Sequence, residues 1–192
     1  MAALKVLAFS GSMRTDSLNK KLVRIAAAAV ERVGAEVTHL DLRDLALPLY
    51  DGDLEARSGL PEGARRLKQL MDSHDAFLIS SPEYNSSISG VLKNAIDWAS
   101  RPLPGEPVLA PFTHKIIALM AASPGGFGGI RALATLRAIM ENLGSIVVPK
   151  QLALPRAHEA FTEAGELKHP KVQASVEALA NQLVEIASKL KK

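Results

Sequence analysis

The chain has 192 residues with a formal net charge of +3, and it contains no cysteine. This length suits one domain with a substantial core. The lack of cysteine excludes disulfides, thiolate metal sites and cysteine nucleophiles, and it fits a reducing compartment. The small charge and the absence of a long basic cluster predict no nucleic-acid partner. Arg65, Arg66 and Lys68 are interpreted as the exposed side of a helix.

The first ten residues, Met1–Ser10, hold an apolar run only as long as a strand, with no basic leader and no small-residue cleavage site. No segment approaches the roughly 18 consecutive apolar residues of a membrane span. We therefore expect a cytoplasmic protein without a membrane partner. The five histidines show no metal-ligand spacing, so no metal site is expected.

Short apolar runs alternate along the chain with segments whose apolar residues recur every three or four positions. In chain order, the predicted elements are a strand at Leu4–Phe9, a helix at 18–33, a strand at Glu36–Leu42, a loop at Leu47–Pro61, a helix at Leu60–Ser73, a strand at Ala76–Ser81, a helix at 91–99, a strand at Lys115–Ala121, a helix at Gly129–Leu143, a strand at Ser145–Leu154, a loop with a small hairpin at Arg156–Pro170 and a helix at 172–190.

The strands lack polar alternation and are separated by helices, which indicates a parallel sheet covered on both faces. Right-handed crossovers leave few arrangements for five such strands. The pattern favours an α/β fold with a flavodoxin-like, doubly wound, five-stranded parallel sheet. We expect residues 1–192 to form one domain of this kind. In such a sheet, ligands bind outside the carboxyl ends of the strands, where the loops after strands one, three and four meet.

The first of these loops, Ser10–Asn19, joins a buried strand to a helix and is rich in hydroxyl groups. The amide groups at a helix amino terminus attract a phosphate. The hydroxyls of Ser12 and Ser17, the Asn19 amide and the Arg14 guanidinium would complete a phosphate site. The alternative is that Ser17 only caps the helix and the rest is a polar loop.

The second loop, Ser81–Ser87, offers a rigid start at Pro82, an aromatic face at Tyr84 and several backbone polar groups. A flat heteroaromatic ring needs such a combination of apolar contact and edge hydrogen bonds. The alternative is that Pro82 only ends a strand and Tyr84 packs on the surface.

The third loop, Ser123–Gly129, has four glycines among its last five residues. Glycine lets a ligand approach the backbone closely and leaves the amide groups open. The alternative is a flexible surface turn. If all three loops have their functional role, a phosphate and an attached ring lie along one edge of the sheet.

At these loops the chain resembles the NAD(P)H-dependent FMN reductase family, which includes chromate and quinone reductases and related azoreductases. The resemblance extends over essentially the whole chain, and the second of its motifs is the most specific. The motifs are Gly11-Ser12-x-Arg14-x-x-Ser17-x-Asn19, then Pro82-Glu83-Tyr84-Asn85-x-Ser87 continuing through Gly90-x-Leu92-Lys93-Asn94-Ala95-Ile96-Asp97-Trp98, and Ser123-Pro124-Gly125-x-x-Gly128-Gly129.

The resemblance implies an FMN cofactor, NADPH or NADH as electron donor, and small-molecule electron acceptors. It also implies a dimer or tetramer, with the third and fourth predicted helices commonly at the subunit contact. No catalytic side chain is expected, because the flavin carries the chemistry. The implied FMN-binding residues are Ser10, Ser12, Arg14, Ser17, Leu18, Asn19, Pro82, Glu83, Tyr84, Asn85, Ser86, Ser123, Pro124, Gly125 and Gly126.

The resulting hypothesis is a ping-pong reductase of quinones, azo compounds, chromate-like anions or free flavin. Tyr50 could reach from a neighbouring subunit to form a wall of the acceptor pocket, while Asp97 and His114 are interpreted as structural. The alternatives are an electron-carrier flavodoxin, a non-catalytic flavin-binding protein and a domain that binds another nucleotide. The last lacks support, because the chain has no G-x-x-x-x-G-K-[ST] or G-x-G-x-x-G pattern.

Overall fold

The structure is a computed structural model that describes residues 3–191. Met1, Ala2 and Lys192 belong to the predicted domain but lie outside the described residues, and Met1 and Ala2 also belong to the segment Met1–Ser10 in which no leader is expected. No helix within 3–191 is both long enough and apolar enough to cross a membrane. The elements are β1 Lys5–Ser10, α1 Leu18–Arg32, β2 Glu36–Asp41, a 3₁₀ turn Leu42–Leu45, α2 Gly52–Ser58, α3 Glu62–Asp72, β3 Ala76–Ser80, α4 Gly90–Ala99, β4 Ile116–Ala122, α5 Ile130–Asn142, β5 Ile146–Leu154 and α6 Pro170–Leu190.

The five strands form one sheet in the order β2-β1-β3-β4-β5, and every neighbouring pair is parallel. This is the predicted flavodoxin-like order. The chain leaves β1 toward β2 on one side and later returns to place β3 on the other side. The winding therefore reverses between β1 and β3, and a crevice for a ligand is expected at their carboxyl ends.

Both faces of the sheet are buried, which explains why the strands show no polar alternation. Side chains such as Val6 and Ala8 pack with α1 and α6 on one face. Their neighbours Leu7 and Phe9 pack with the 3₁₀ turn, α3, α4 and α5 on the other. Every residue of β3 and β4 is buried, so these strands hold the two loops that follow them on a rigid base.

The predicted loop Leu47–Pro61 is wrong in its middle, because it contains the helix α2. Asp51 caps this helix, and its carboxylate accepts a hydrogen bond from the Asp53 amide at 2.9 Å. No residue of α2 is buried, so the helix has no apolar stripe that periodicity could have revealed. The predicted small hairpin in Arg156–Pro170 is present as a single antiparallel bridge between Phe161 and Leu167.

The interpretation of Lys68 as an exposed residue is wrong, whereas its neighbours Arg65 and Arg66 are exposed. Lys68 is only 2% exposed. Its ammonium group lies 2.7 Å from the Glu106 carboxylate. It also donates to the carbonyl oxygens of Ala99 at 3.2 Å and Arg101 at 2.7 Å. These partners satisfy a charge that burial would otherwise penalise strongly.

Candidate flavin site

Residues of all three predicted loops line one cavity of about 80 Å³ at the carboxyl ends of β1, β3 and β4. Most of the predicted site residues are in its lining, namely Ser12, Arg14, Ser17, Leu18, Asn19, Pro82, Glu83, Tyr84, Ser123 and Pro124. Ala122, which was not predicted, lines it too. The remaining predicted residues lie outside the lining, namely Ser10, Asn85, Ser86, Gly125 and Gly126. The three loops thus converge, and the part of each residue in binding stays a prediction.

The β1–α1 loop places hydrogen-bond donors at the start of α1. The Ser17 hydroxyl oxygen caps the helix by accepting from the Lys20 amide at 3.3 Å, and Ser12 Oγ accepts from the Arg14 amide at 3.3 Å. Both hydroxyl hydrogens remain free to donate. Within residues 3–191 the amides of Leu18 and Asn19, in the first turn of α1, have no acceptor. Capping and anion binding are therefore compatible at Ser17.

The side chain of Asn19 ties the start of α1 to the sheet. Its Oδ1 accepts from the Ala122 amide and from the Ser80 hydroxyl, each at 2.9 Å. Its Nδ2 donates to the Ala122 carbonyl oxygen at 2.8 Å. The amide predicted to hold a phosphate is thus already bonded within the protein. What Asn19 still offers to a ligand is its backbone N–H.

The loop after β3 makes a tight turn that projects an aromatic ring. Tyr84 and Ser87 exchange two backbone hydrogen bonds of 3.0 Å, and the residues between them, Asn85 and Ser86, have φ values of 51° and 65°. This pair of positive φ angles is typical of a type I′ turn. The backbone of Tyr84 is therefore used by the turn, while its side chain is half exposed beside the buried Pro82.

Glu83 connects this loop to the helix after the third loop. Its carboxylate accepts from the amides of Arg131 at 3.1 Å and Ala132 at 3.3 Å, and from the Arg131 side chain at 2.6 Å. Burial alone raises the pKa of Glu83, but these hydrogen bonds outweigh burial and hold the pKa below its ordinary value. Because Gly129 at the helix start has no capping side chain, Glu83 caps α5 instead. Its carboxylate therefore holds the loop after β3 against the start of α5, directly after the third loop.

The glycines of the third loop serve packing as well as access. A Cβ on Gly128 would lie 2.7 Å from the Pro155 nitrogen, and one on Gly129 would lie 2.6 Å from the Ala121 Cβ. Both residues also have positive φ. By contrast, a Cβ on Gly126 would meet nothing within 4 Å. A Cβ on Gly125 would lie 3.6 Å from the Ser123 Oγ, an ordinary contact. The fold therefore requires glycine at 128 and 129, whereas 125 and 126 have room for a side chain.

Two further predicted residues are placed away from the cavity. Ser10 is buried, and its hydroxyl has no hydrogen-bond partner within residues 3–191. It faces a groove between α1 and β2. Tyr50 packs edge-on against Trp98 with ring centroids 5.0 Å apart, and its hydroxyl donates to Glu55 at 2.9 Å. Tyr50 is therefore engaged within its own chain.

A second cavity, of about 330 Å³, adjoins the first and shares Ser12, Arg14 and Tyr84 with it. Arg43 from the 3₁₀ turn also lines it. Sequence analysis missed this residue, because its position follows from where β2 ends and the turn begins. Asp41 at the end of β2 marks that point by accepting from the Arg43 amide at 3.0 Å.

The groups around the first cavity fit a flavin mononucleotide. At the α1 end the free groups are two serine hydroxyls, helix amides and the Arg14 guanidinium, which together suit a phosphate. At the other end Pro82, Tyr84 and Pro124 offer apolar contact for a ring. Within residues 3–191 no carboxylate lies within 4.0 Å of Arg14, so its charge is available to a ligand.

Comparisons with known proteins agree with this geometry. The profile of the family described as NADPH-dependent FMN reductase matches residues 4–159. An NAD(P)H-dependent FMN reductase of Pseudomonas aeruginosa is 37% identical over 178 residues, covering 91% of this chain and 90% of that protein. A probable NADPH:quinone oxidoreductase of Oryza sativa subsp. japonica is 34% identical over 195 residues, covering 98% of this chain and 91% of that protein.

Among solved structures, the flavoenzyme NAD(P)H:(acceptor) oxidoreductase FerB of Paracoccus denitrificans superposes with a TM-score of 0.80 at 30% identity. The match covers 97% of this chain and 98% of that one. The shared length and the superposition of the fold agree with the resemblance seen in the sequence. The chain belongs to the NADPH-dependent FMN reductase family.

Proposed function

We propose that this protein is an NAD(P)H-dependent, FMN-containing oxidoreductase that reduces quinones, azo compounds, chromate-like anions or free flavin in a ping-pong cycle. The observation that carries the proposal is the convergence of three loops on one cavity, with anion-binding groups at one end and apolar groups at the other. Family membership supports the flavin cofactor and the NAD(P)H donor. The names of the relatives support quinones as acceptors.

The residues of this chain bind and orient the reactants. In this proposal the hydroxyls of Ser12 and Ser17, the first amides of α1 and Arg14 hold the FMN phosphate. The loop Pro82–Ser86 and the segment Ser123–Gly126 hold the ring. When bound, FMN would supply the redox chemistry between the NADPH or NADH donor and the acceptor. The protein sets the distance between reactants and limits the access of water.

The deciding experiment is to purify the protein with added FMN, record its absorption spectrum, and add NADPH and then NADH without oxygen. Rapid bleaching of the flavin band by either donor is the expected result. Slow bleaching by both would instead indicate an electron-carrier flavodoxin. A colourless protein that takes up no FMN would indicate a non-catalytic role. Intersecting rather than parallel lines in steady-state plots would contradict the ping-pong order.

We further propose that the protein acts in the cytoplasm as a dimer or tetramer, with α4 and α5 at the subunit contact. In that assembly the segment around Tyr50 forms a wall of a neighbouring acceptor pocket. Leu49, which is 82% exposed, supports this, because an uncovered apolar side chain next to Tyr50 suits a subunit contact.

Replacing Arg14 by alanine is expected to weaken FMN binding by about ten- to a few hundredfold, because a charge-assisted hydrogen bond contributes roughly 1.5–3 kcal/mol. Titration of the apoprotein with FMN, followed by flavin fluorescence, measures the effect. Arg24→Ala is the matched control, because Arg24 is an exposed arginine of α1 outside both cavities. Equal affinity of Arg14→Ala and the wild type would refute the phosphate assignment.

A further inference from the structure

The cavity beside the flavin site is rich in positive charge. It is lined by the β1–α1 loop, the 3₁₀ turn, Tyr84 and the start of α4, in the residues Gly11, Ser12, Met13, Arg14, Arg43, Tyr84, Ser89, Gly90 and Val91. The lining holds two guanidinium groups and no carboxylate. Met13, Tyr84 and Val91 add apolar surface. The lining therefore combines apolar side chains with two positive charges.

Neither arginine of this cavity forms an ion pair within the described residues. The neighbouring lysines are paired, Lys20 with Asp41 at 2.5 Å and Lys21 with Asp16 at 2.7 Å. For Arg14 and Arg43, in contrast, no carboxylate within residues 3–191 lies within 4.0 Å of the guanidinium. Under the proposed function the FMN phosphate is the counterion of Arg14. Arg43 then remains as the cation of the cavity without a direct ion-pair partner, although Asp41 lies close enough for the charge of Arg43 to lower the pKa of its carboxyl.

Arg43 is also held in position. Its amide is fixed by Asp41, and one nitrogen of its guanidinium donates to the carbonyl oxygen of Met13. A guanidinium has five N–H donors in a planar fork. One contact therefore orients the group while the other donors stay available. Such a fork matches a planar anionic oxygen group in two-point fashion.

We propose that this cavity is a subsite for the anionic oxygen group of an aromatic electron acceptor, and that Arg43 is the residue that gives preference to anionic over neutral acceptors. This inference rests on the proposed function and names the substrate class of its acceptor half-reaction. A hydroxyquinone ionised at its hydroxyl group belongs to this class. Its reduction to the hydroquinone takes two electrons and two protons, delivered as one hydride originating from NAD(P)H and one proton from water.

The test compares 2-hydroxy-1,4-naphthoquinone, which is ionised at neutral pH, with its neutral 2-methoxy analogue. The ratio of kcat/KM for the two quinones is measured in the wild type, Arg43→Ala and Arg43→Lys. Differences in reduction potential between the quinones cancel when this ratio is compared between proteins. We expect the ratio to fall about tenfold in Arg43→Ala, since one charged contact at an exposed site is lost. Arg43→Lys retains the charge and is expected to recover part of the preference.

Arg66→Ala is the control, because Arg66 is exposed on α3 and lies outside the cavity. Its ratio is expected to equal that of the wild type. Raising the salt concentration should lower kcat/KM of the wild type for the anionic quinone more than for the neutral one. An unchanged quinone ratio in Arg43→Ala overturns the inference. The inference is also overturned if kcat/KM of the wild type depends equally on salt for the two quinones. This measurement needs no variant.

A second pair of ratios identifies the source of any anion effect. In a ping-pong scheme kcat/KM for the donor reports only the first half-reaction, so NADPH and NADH are compared separately. We expect the NADPH-to-NADH ratio to be the same in Arg43→Ala and the wild type. If the NADPH-to-NADH ratio falls in Arg43→Ala while the quinone ratio stays unchanged, Arg43 binds the donor phosphate and the inference is overturned. Failure of the wild type to reduce either quinone would instead contradict the proposed function.

Discussion

Replacing Gly63 by alanine is expected to destabilise the protein by about 3 kcal/mol or more, the upper range for an overpacked site. Gly63 lies in the first turn of α3. A Cβ built there would lie 1.8 Å from the carbonyl oxygen of Leu45, at the end of the 3₁₀ turn. Because the clashing atom belongs to the backbone, no side-chain rotation can relieve the overlap. Either α3 or the turn must move.

Thermal unfolding followed by circular dichroism measures this effect. For a chain of this size we expect the melting temperature to fall by roughly 6–12 °C. Gly90→Ala is the matched control, because Gly90 lies in the first turn of α4 and a Cβ there would meet nothing within 4 Å. Its stability should be unchanged or slightly higher, since alanine favours helices. Wild-type stability of Gly63→Ala would show that α3 does not approach Leu45 so closely.

Replacing Lys68 by methionine is expected to cost about 3–5 kcal/mol, the range found when one partner of a buried ion pair is removed. The substitution leaves the Glu106 carboxylate without its cation. It also leaves the carbonyl oxygens of Ala99 and Arg101, at the end of α4, without their donor. Urea unfolding measures the loss. Lys93→Met is the control, because Lys93 pairs with Asp97 on the exposed side of α4.

The double variant Lys68→Met, Glu106→Gln distinguishes a lost attraction from an unpaired charge. We expect it to be more stable than Lys68→Met alone, because the neutral glutamine side chain leaves no unpaired charge buried. Its Oε1 can still accept from the Leu103 amide, which the carboxylate does at 2.8 Å. A double variant no more stable than the single one would show that the carbonyl contacts of Lys68 dominate.

The same pair predicts a pH dependence. Burial alone raises the pKa of Glu106, but the hydrogen bond from Lys68, the hydrogen bond from the Leu103 amide and the charge of Lys68 together outweigh burial and hold the pKa below its ordinary value of 4.5. A carboxyl whose pKa is lowered on folding stabilises the folded state above that ordinary value, and the contribution is lost as the pH falls through the folded pKa. The difference in the free energy of unfolding between the wild type and Lys68→Met should therefore become smaller as the pH falls below 4.5.

The order of the sheet and the three loops could be predicted, because buried strands and glycine-rich or hydroxyl-rich turns leave strong local signals. Lys68 shows a signal that was available and misread. It lies four residues after Ala64 and three before Met71, both buried, so helical periodicity places it on the buried face of α3. Grouping it with Arg65 and Arg66 by charge concealed that position.

Other features could not be read from the chain. Arg43 reaches the second cavity only because β2 ends at Asp41 and a 3₁₀ turn follows. The contact between Gly63 and Leu45 joins two elements that no local pattern relates. Glu83 was predicted to lie at the carboxyl ends of the strands, where the structure places it. Its role as the cap of α5 depends on how two loops meet in space and could not be predicted. Such long-range contacts set the details of the site, while local patterns set its location.

The bonds of Asn19 have a consequence for how the cofactor is exchanged. With one side chain joined to both Ser80 and Ala122, the first turn of α1 cannot tilt from the sheet unless three hydrogen bonds break together. The proposed binding site for the FMN phosphate is therefore preorganised, and little conformational entropy is expected to be lost on binding. We therefore expect a protein stripped of its flavin to keep this site in the same shape and to rebind the cofactor without refolding.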